Sequence, residues 1–168
     1  KEKTKSQYKL FKKYDKFGYK EYKILHDFCK KIKIKFVSTP FDTDSVQYLK
    51  KLIPFFKIAS ADINNLPLLK SVAKTHKPVV ISTGASTIVE IKNALKILKK
   101  NGAKDIAIMH CILNYPTKDI NANLGMIESL KKIFPKNVIG YSDHTLPDNN
   151  MSSLLYGYMM GAEIFEKH

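Results

Sequence analysis

Val138-Ile-Gly-Tyr-Ser-Asp-His-Thr145 is a short β-prone run that passes straight into a cluster of hydroxyl, carboxyl and imidazole side chains. Val138, Ile139 and Tyr141 suit a buried strand, and the glycine between them marks a place where another backbone comes close. Because the polar cluster begins where the apolar run stops, its groups sit at a strand's C-terminal end. Open α/β sheets and α/β barrels keep their sites there. The chain closes on Ile164-Phe-Glu-Lys-His168, a second strand-like piece ending in histidine. Two imidazoles, His144 and His168, at the ends of successive strands could converge on one metal ion.

Outward from these two pieces the sequence repeats one pattern. A helical stripe over residues 19–33 (Tyr22, Leu25, Cys29, Ile32) precedes a predicted first strand at Ile34-Lys-Phe-Val-Ser38. Asp42 to Ser45 can cap a helix carrying Val46, Leu49 and Leu52. Phe55-Phe-Lys-Ile-Ala-Ser60 reads as a strand, and Asn65 with Pro67 starts the next helix. Val79-Val-Ile-Ser-Thr83 is followed by a helix with a Thr87/Glu90 capping box and a Gly102 stop. A strand at Asp105–Cys111 and a helix over about 122–134 lead to Val138, and a helix over about 150–160 leads to Ile164. A helix followed by six strands alternating with five helices predicts a parallel sheet, either doubly wound or most of an eight-stranded barrel. No GxGxxG or Walker sequence follows any strand, which removes the main nucleotide fingerprints. Polar residues recur at the strand ends: Ser38-Thr39, Ser60, Ser82-Thr83, His110, Ser142 to His144, and His168. A ring of this kind favours the barrel.

Composition sets the remaining bounds. At 168 residues and 44% hydrophobic content, the chain can bury an ordinary domain core, and no apolar run approaches the roughly 20 residues of a membrane span. The opening Lys1–Tyr8 lacks both a starting Met and an apolar stretch, so no signal peptide is expected and the chain reads as the middle of something longer. Cys29 and Cys111 stand far apart and outside any CxxC pair, which fits a reduced, cytoplasmic protein. The net charge of +14 comes from 29 basic residues, and every one is lysine. Without arginine's planar fork, a solvated lysine surface is the better reading. Neither a nucleic acid nor a membrane partner is expected.

Six pieces stand in order: Ser-Thr-Pro-Phe-Asp (38–42), Lys-Ile-Ala-Ser (57–60), Ile-Ser-Thr-Gly (81–84), His-Cys with Asn-Tyr-Pro-Thr (110–117), Gly-Tyr-Ser-Asp-His-Thr (140–145) and Glu-Lys-His (166–168). Together they resemble the sialic acid synthase family, which includes N-acetylneuraminate, legionaminate and pseudaminate synthases. The resemblance implies an incomplete TIM (β/α)8 barrel, about strands 3 to 8 of the family's eight. It also implies that the family's first two strands and its C-terminal antifreeze-like domain are lacking. Residues 1–168 are then one partial barrel domain, opened by an irregular lysine-rich lead-in over 1–18.

What the resemblance implies about chemistry is condensation of phosphoenolpyruvate with the open-chain aldehyde of an N-acetylated amino sugar, giving a nine-carbon 2-keto acid and phosphate. By motif, His144 and His168 match metal ligands, for Mn2+ or Mg2+. Thr39, Lys57, Ser60, Ser82, Asn114 and Ser142 match a substrate-binding set, and Asp62, Glu166 and Tyr115 match catalytic positions. Leu113 and Ala61 depart from the family's usual residues, and so does Ala85. A homodimer of the full-length protein is expected by analogy. Taken singly, several of these residues have plainer roles: Lys57 as an edge lysine reaching water, Asp62 as a helix cap, Tyr115 as a loop aromatic. Two other readings stay open: a barrel aldolase forming a Schiff base on Lys57, and a catalytically silent piece completed by another chain.

Overall fold

A computed structural model describes residues 6–168. The chain divides into two compact units, one ending at Phe36 and the other running from Val37 to His168. The first holds helices α1 (Gln7–Tyr14) and α2 (Tyr19–Lys31). Of the segment 1–18 expected to be irregular, residues 1–5 lie outside the described residues and Gln7–Tyr14 is helical, in keeping with lysine's good helix propensity. Phe36 closes on α2 through ring contacts with Tyr22 and His26.

The second unit is a curled half-barrel of five parallel strands in sequential order, with helices between them. Its elements are α3 (Thr43–Leu49), β1 (Phe56–Ile58), α4 (Leu66–Ala73), β2 (Val79–Ser82) and α5 (Ile88–Lys100). They continue as β3 (Ile106–His110), α6 (Gly125–Ile133), β4 (Ile139–Asp143), α7 (Ser152–Met159) and β5 (Ile164–Lys167). The βα connections vary in length, and the longest, residues 111–124 between β3 and α6, supplies Cys111, Leu113 and Tyr115 to the candidate site. The expected first strand, Ile34–Ser38, joins no ladder and is mostly exposed. A strand is defined by its paired backbone groups, and this segment has β-prone side chains but no strand paired with it among the described residues.

The caps fall where the side chains predict. Asp42 accepts from Ser45 N and Asn65 from Leu68 N, while Thr87 and Glu90 form the reciprocal capping box of α5. Just past that helix Gly102 sits at φ +110, a left-handed stop that suits glycine.

Alternation along the strands sorts side chains between two faces. Phe56, Ile58, Ile81, Ile108, Ile139 and Tyr141 are buried on the helix side. There the sheet meets Leu68, Leu69 and Val72 of α4, Ile91 and Leu98 of α5, and Ile127 and Leu130 of α6. On the concave face Val80, Ala107 and Met109 form an apolar layer with Phe55 and Ile164. One residue pair further along each strand, the same face turns polar, and the site begins.

Candidate active site

Lys57, Ser82, Ser142 and Glu166 follow the concave-face residues Phe55, Val80, Gly140 and Ile164 by two positions each, so strand periodicity puts all four on that face, with Ser142 and Glu166 register partners. They line a cavity of about 280 Å³ together with Thr39, Ser60, Tyr115, His144 and His168. Nine of the eleven residues singled out from the sequence thus meet around one space.

Lys57 is the cationic wall. Its Nζ donates to Ser82 Oγ at 2.7 Å and lies 3.4 Å from Glu166 Oε2, with the side chain only 12% exposed. An ammonium so placed needs a fixed anion, and the plainer reading of a lysine reaching bulk water does not hold. Glu166 Oε1 accepts from Ser142 Oγ at 2.9 Å and from His168 Nε2 at 2.8 Å. Burial alone would raise the Glu166 carboxyl. The Lys57 ammonium and the hydrogen bonds from His168 and Ser142 together outweigh it and hold the group below its ordinary value.

The two imidazoles meet at the mouth, ring centroids 4.5 Å apart and edge to face. Tyr115 covers both, stacked on His144 at 4.0 Å and edge-on to His168 at 5.5 Å. Burial pushes the Tyr115 phenol up, with Cys111 and Glu166 adding to the shift. His144 Nδ1 lies 2.6 Å from the Ile112 carbonyl. A carbonyl can only accept, so Nδ1 carries the hydrogen. Burial lowers the His144 pKa, the Ile112 carbonyl opposes that, and His168 lowers it further, so the ring is neutral and its Nε2 holds a lone pair. Ser142 Oγ lies 3.2 Å from Nε2, and its single hydrogen is directed to the stronger acceptor, ionised Glu166.

That lone pair is the observation that tests a metal. Structural and catalytic metals take neutral imidazole nitrogen whose other nitrogen donates to a carbonyl or carboxylate, and His144 is in that state. His168 donates through Nε2 to Glu166, leaving Nδ1 as its acceptor nitrogen when neutral. The two imidazole nitrogens are donors of the kind divalent ions take, and Glu166 is already engaged by Lys57, Ser142 and His168. Among the described residues no group of three or more His, Cys, Asp or Glu is placed to hold a metal ion.

Two sequence-predicted residues stand outside the lining. Asp62 ends a 3-10 turn (Ser60–Asp62) that carries its carboxylate to Asn65 Nδ2 at 3.0 Å, close to the capping role open to it. Asn114 is exposed, and its carbonyl accepts from Thr117 Oγ1 at 2.8 Å. His110, read as part of the polar rim, points to the helix side. It stacks on Tyr141 at 5.8 Å and bonds the Ala122 carbonyl at 2.8 Å. Cys111 takes the cavity-facing place next to it.

The structure also adds Phe41, Ala59, Ala61 and Leu113 to the wall. Ala59 follows Lys57 by two and was available from alternation, whereas Phe41 and Leu113 come from loops and carried no such signal.

Comparison with known proteins places the chain in a family. An uncharacterized protein of Methanocaldococcus jannaschii is 45% identical over 163 residues, covering 96% of this chain and 47% of its own length. The N,N'-diacetyllegionaminic acid synthase of Campylobacter jejuni is 45% identical over 148 residues, 86% of this chain and 42% of its own. The crystal structure of N-acetylneuraminic acid (sialic acid) synthetase from Leptospira borgpetersenii, in complex with citrate, superposes with a TM-score of 0.83 at 38% identity. It covers 90% of this chain and 52% of that one. The chain therefore spans about half the length of the relatives it matches. The NeuB family profile matches residues 1–168 from end to end, and the chain belongs to the NeuB family.

Proposed function

We propose that the protein carrying this chain condenses phosphoenolpyruvate with the open-chain aldehyde of an N-acetylated amino sugar. In that reaction C3 of the enol bonds to the aldehyde carbon, water adds at C2, and the C2–O bond to phosphorus's oxygen breaks to release phosphate. Three carbons joined to six give the nine-carbon 2-keto acid. The observation that carries this reading is Lys57, a nearly buried ammonium at the floor of a hydroxyl-lined cavity whose mouth holds two imidazoles.

In this reading Lys57 holds the anion as a point charge, and Thr39, Ser60, Ser82 and Ser142 orient it as rotatable donors. Glu166, kept ionised, and Tyr115 are the groups placed to move a proton at the mouth. His144 and His168 would hold a divalent ion, Mn2+ or Mg2+, which when bound would polarise the aldehyde. Asp62 and Asn114 enter only as neighbours of the rim, two residues after Ser60 and one before Tyr115. The full-length protein is taken to be cytoplasmic and homodimeric; no helix of the described residues is long and apolar enough to cross a membrane.

The test is phosphate release by the full-length protein from phosphoenolpyruvate with N-acetylmannosamine, and with bacillosamine- or altrosamine-type sugars. Each assay is run with chelator and again after Mn2+ is restored. Sugar-dependent release that chelation stops and Mn2+ restores is the expected result. Release with none of the sugars would overturn the reading. Trapping of Lys57 by borohydride in the presence of a keto substrate would favour a Schiff-base aldolase instead.

A further inference from the structure

We propose that the ion pair between Asp143 and Lys167 is the positioning device that sets His144 against His168. The proposal rests on reading the two imidazoles as a metal pair only for its functional half; the placement of the rings stands without it.

Asp143 and Lys167 are register partners at the last rung of the β4–β5 ladder. Both face away from the cavity, each just ahead of a histidine that faces in. Asp143 is 1% exposed, and its Oδ2 lies 3.0 Å from Lys167 Nζ. Its Oδ1 accepts from Thr145 N at 2.8 Å and from Tyr141 OH at 3.0 Å. Lys167 Nζ also donates to the Thr145 carbonyl. The pair therefore grips Thr145 from both sides and bends residues 143–145 around the carboxylate, with His144 at the centre of the bend. The Asp143 carbonyl accepts from His168 N at 3.1 Å, so the same residue carries the second histidine's backbone. Tyr141 OH links the cluster onward to Ser153 Oγ at 2.8 Å, tying it to α7. Asp143 is buried while Lys167 is 30% exposed, so losing Lys167 would leave a buried carboxylate held by hydrogen bonds from Thr145 N and Tyr141 OH.

The test compares the full-length protein with Lys167→Met, Asp143→Asn and the conservative Lys167→Arg. Lys131→Met serves as a control, since it frees contacts to Gly161 and Glu163 at the other end of β5. Two readouts are taken: the imidazole NMR signals of His144 and His168, which each other's ring and Tyr115 displace, and Mn2+ affinity by electron paramagnetic resonance. Lys167→Met and Asp143→Asn are expected to move both histidine signals and weaken Mn2+ binding about tenfold or more, the scale seen when groups that orient metal ligands are removed. Lys167→Arg should restore both, and Lys131→Met should leave both unchanged. Ring signals and Mn2+ affinity unmoved in Lys167→Met, or moved equally in Lys131→Met, would overturn the proposal. Displaced ring signals in a protein whose wild type binds no Mn2+ would keep the positioning role and remove the metal reading.

Discussion

A charge held inside a cavity is informative because the protein has to stabilise it continuously, whether or not a ligand is present. Lys57 meets that need with one hydroxyl and one carboxylate, a sparse arrangement that leaves donors free for an incoming anion. Lys57→Met is expected to lower phosphate release about 100-fold or more, on the scale of removing one preorganised charge or donor from a reacting site. The phosphoenolpyruvate KM should rise as well, and an unchanged circular dichroism spectrum would show that the fold survives. Glu166 is read the same way. It gathers Lys57, Ser142 and His168 around two oxygens, so Glu166→Gln is expected to lose turnover with the cavity intact, measured in the same assay. At this scale the sequence identified the residues but not their partners. Lys57, Ser142 and Glu166 are 109 or fewer residues apart along the chain, and nothing in their spacing says that they share hydrogen bonds.

At the scale of elements, β4 shows why one glycine belongs inside a strand. A Cβ at Gly140 would lie 2.7 Å from the Ile164 carbonyl oxygen of the neighbouring strand and would strike Met109 Sδ. Gly140→Ala is therefore expected to cost about 1–3 kcal/mol by overpacking. Adding Met109→Ala should recover only part of this, because the carbonyl belongs to the backbone; urea unfolding of both variants measures it. Thr87→Ala, which removes the capping box of α5, should cost about 1 kcal/mol in the same experiment. Helices with such caps were legible to within a few residues, since cap and stripe are local. The predicted strand at Ile34–Ser38 was not, because its sequence carries β propensity while a ladder needs a partner that propensity does not specify.

For the whole molecule, acid should be the destabilising direction. Burial lowers the His110 pKa below the ordinary 6.5, opposed by the Ala122 carbonyl, and burial lowers His144 as well. Each ring binds fewer protons folded than unfolded, so stability is full above about pH 6.5 and falls as pH drops from there toward the lowered folded values. Urea midpoints between pH 7.5 and about 5 should show the decline, and His110→Gln should make it shallower. The sequence by itself determined the alternation of strands and helices and the caps, because periods of 2 and 3.6 and short-range hydrogen bonds are written along the chain, and its resemblance to the sialic acid synthase motifs named most cavity residues. Only the tertiary structure decided that His110 turns to the helices while Cys111 turns to the cavity, that Asp62 and Asn114 stand aside, and that Asp143 and Lys167 clasp behind the histidines. These outcomes depend on strand register and on the curl of the sheet, which are set by packing between segments far apart in sequence.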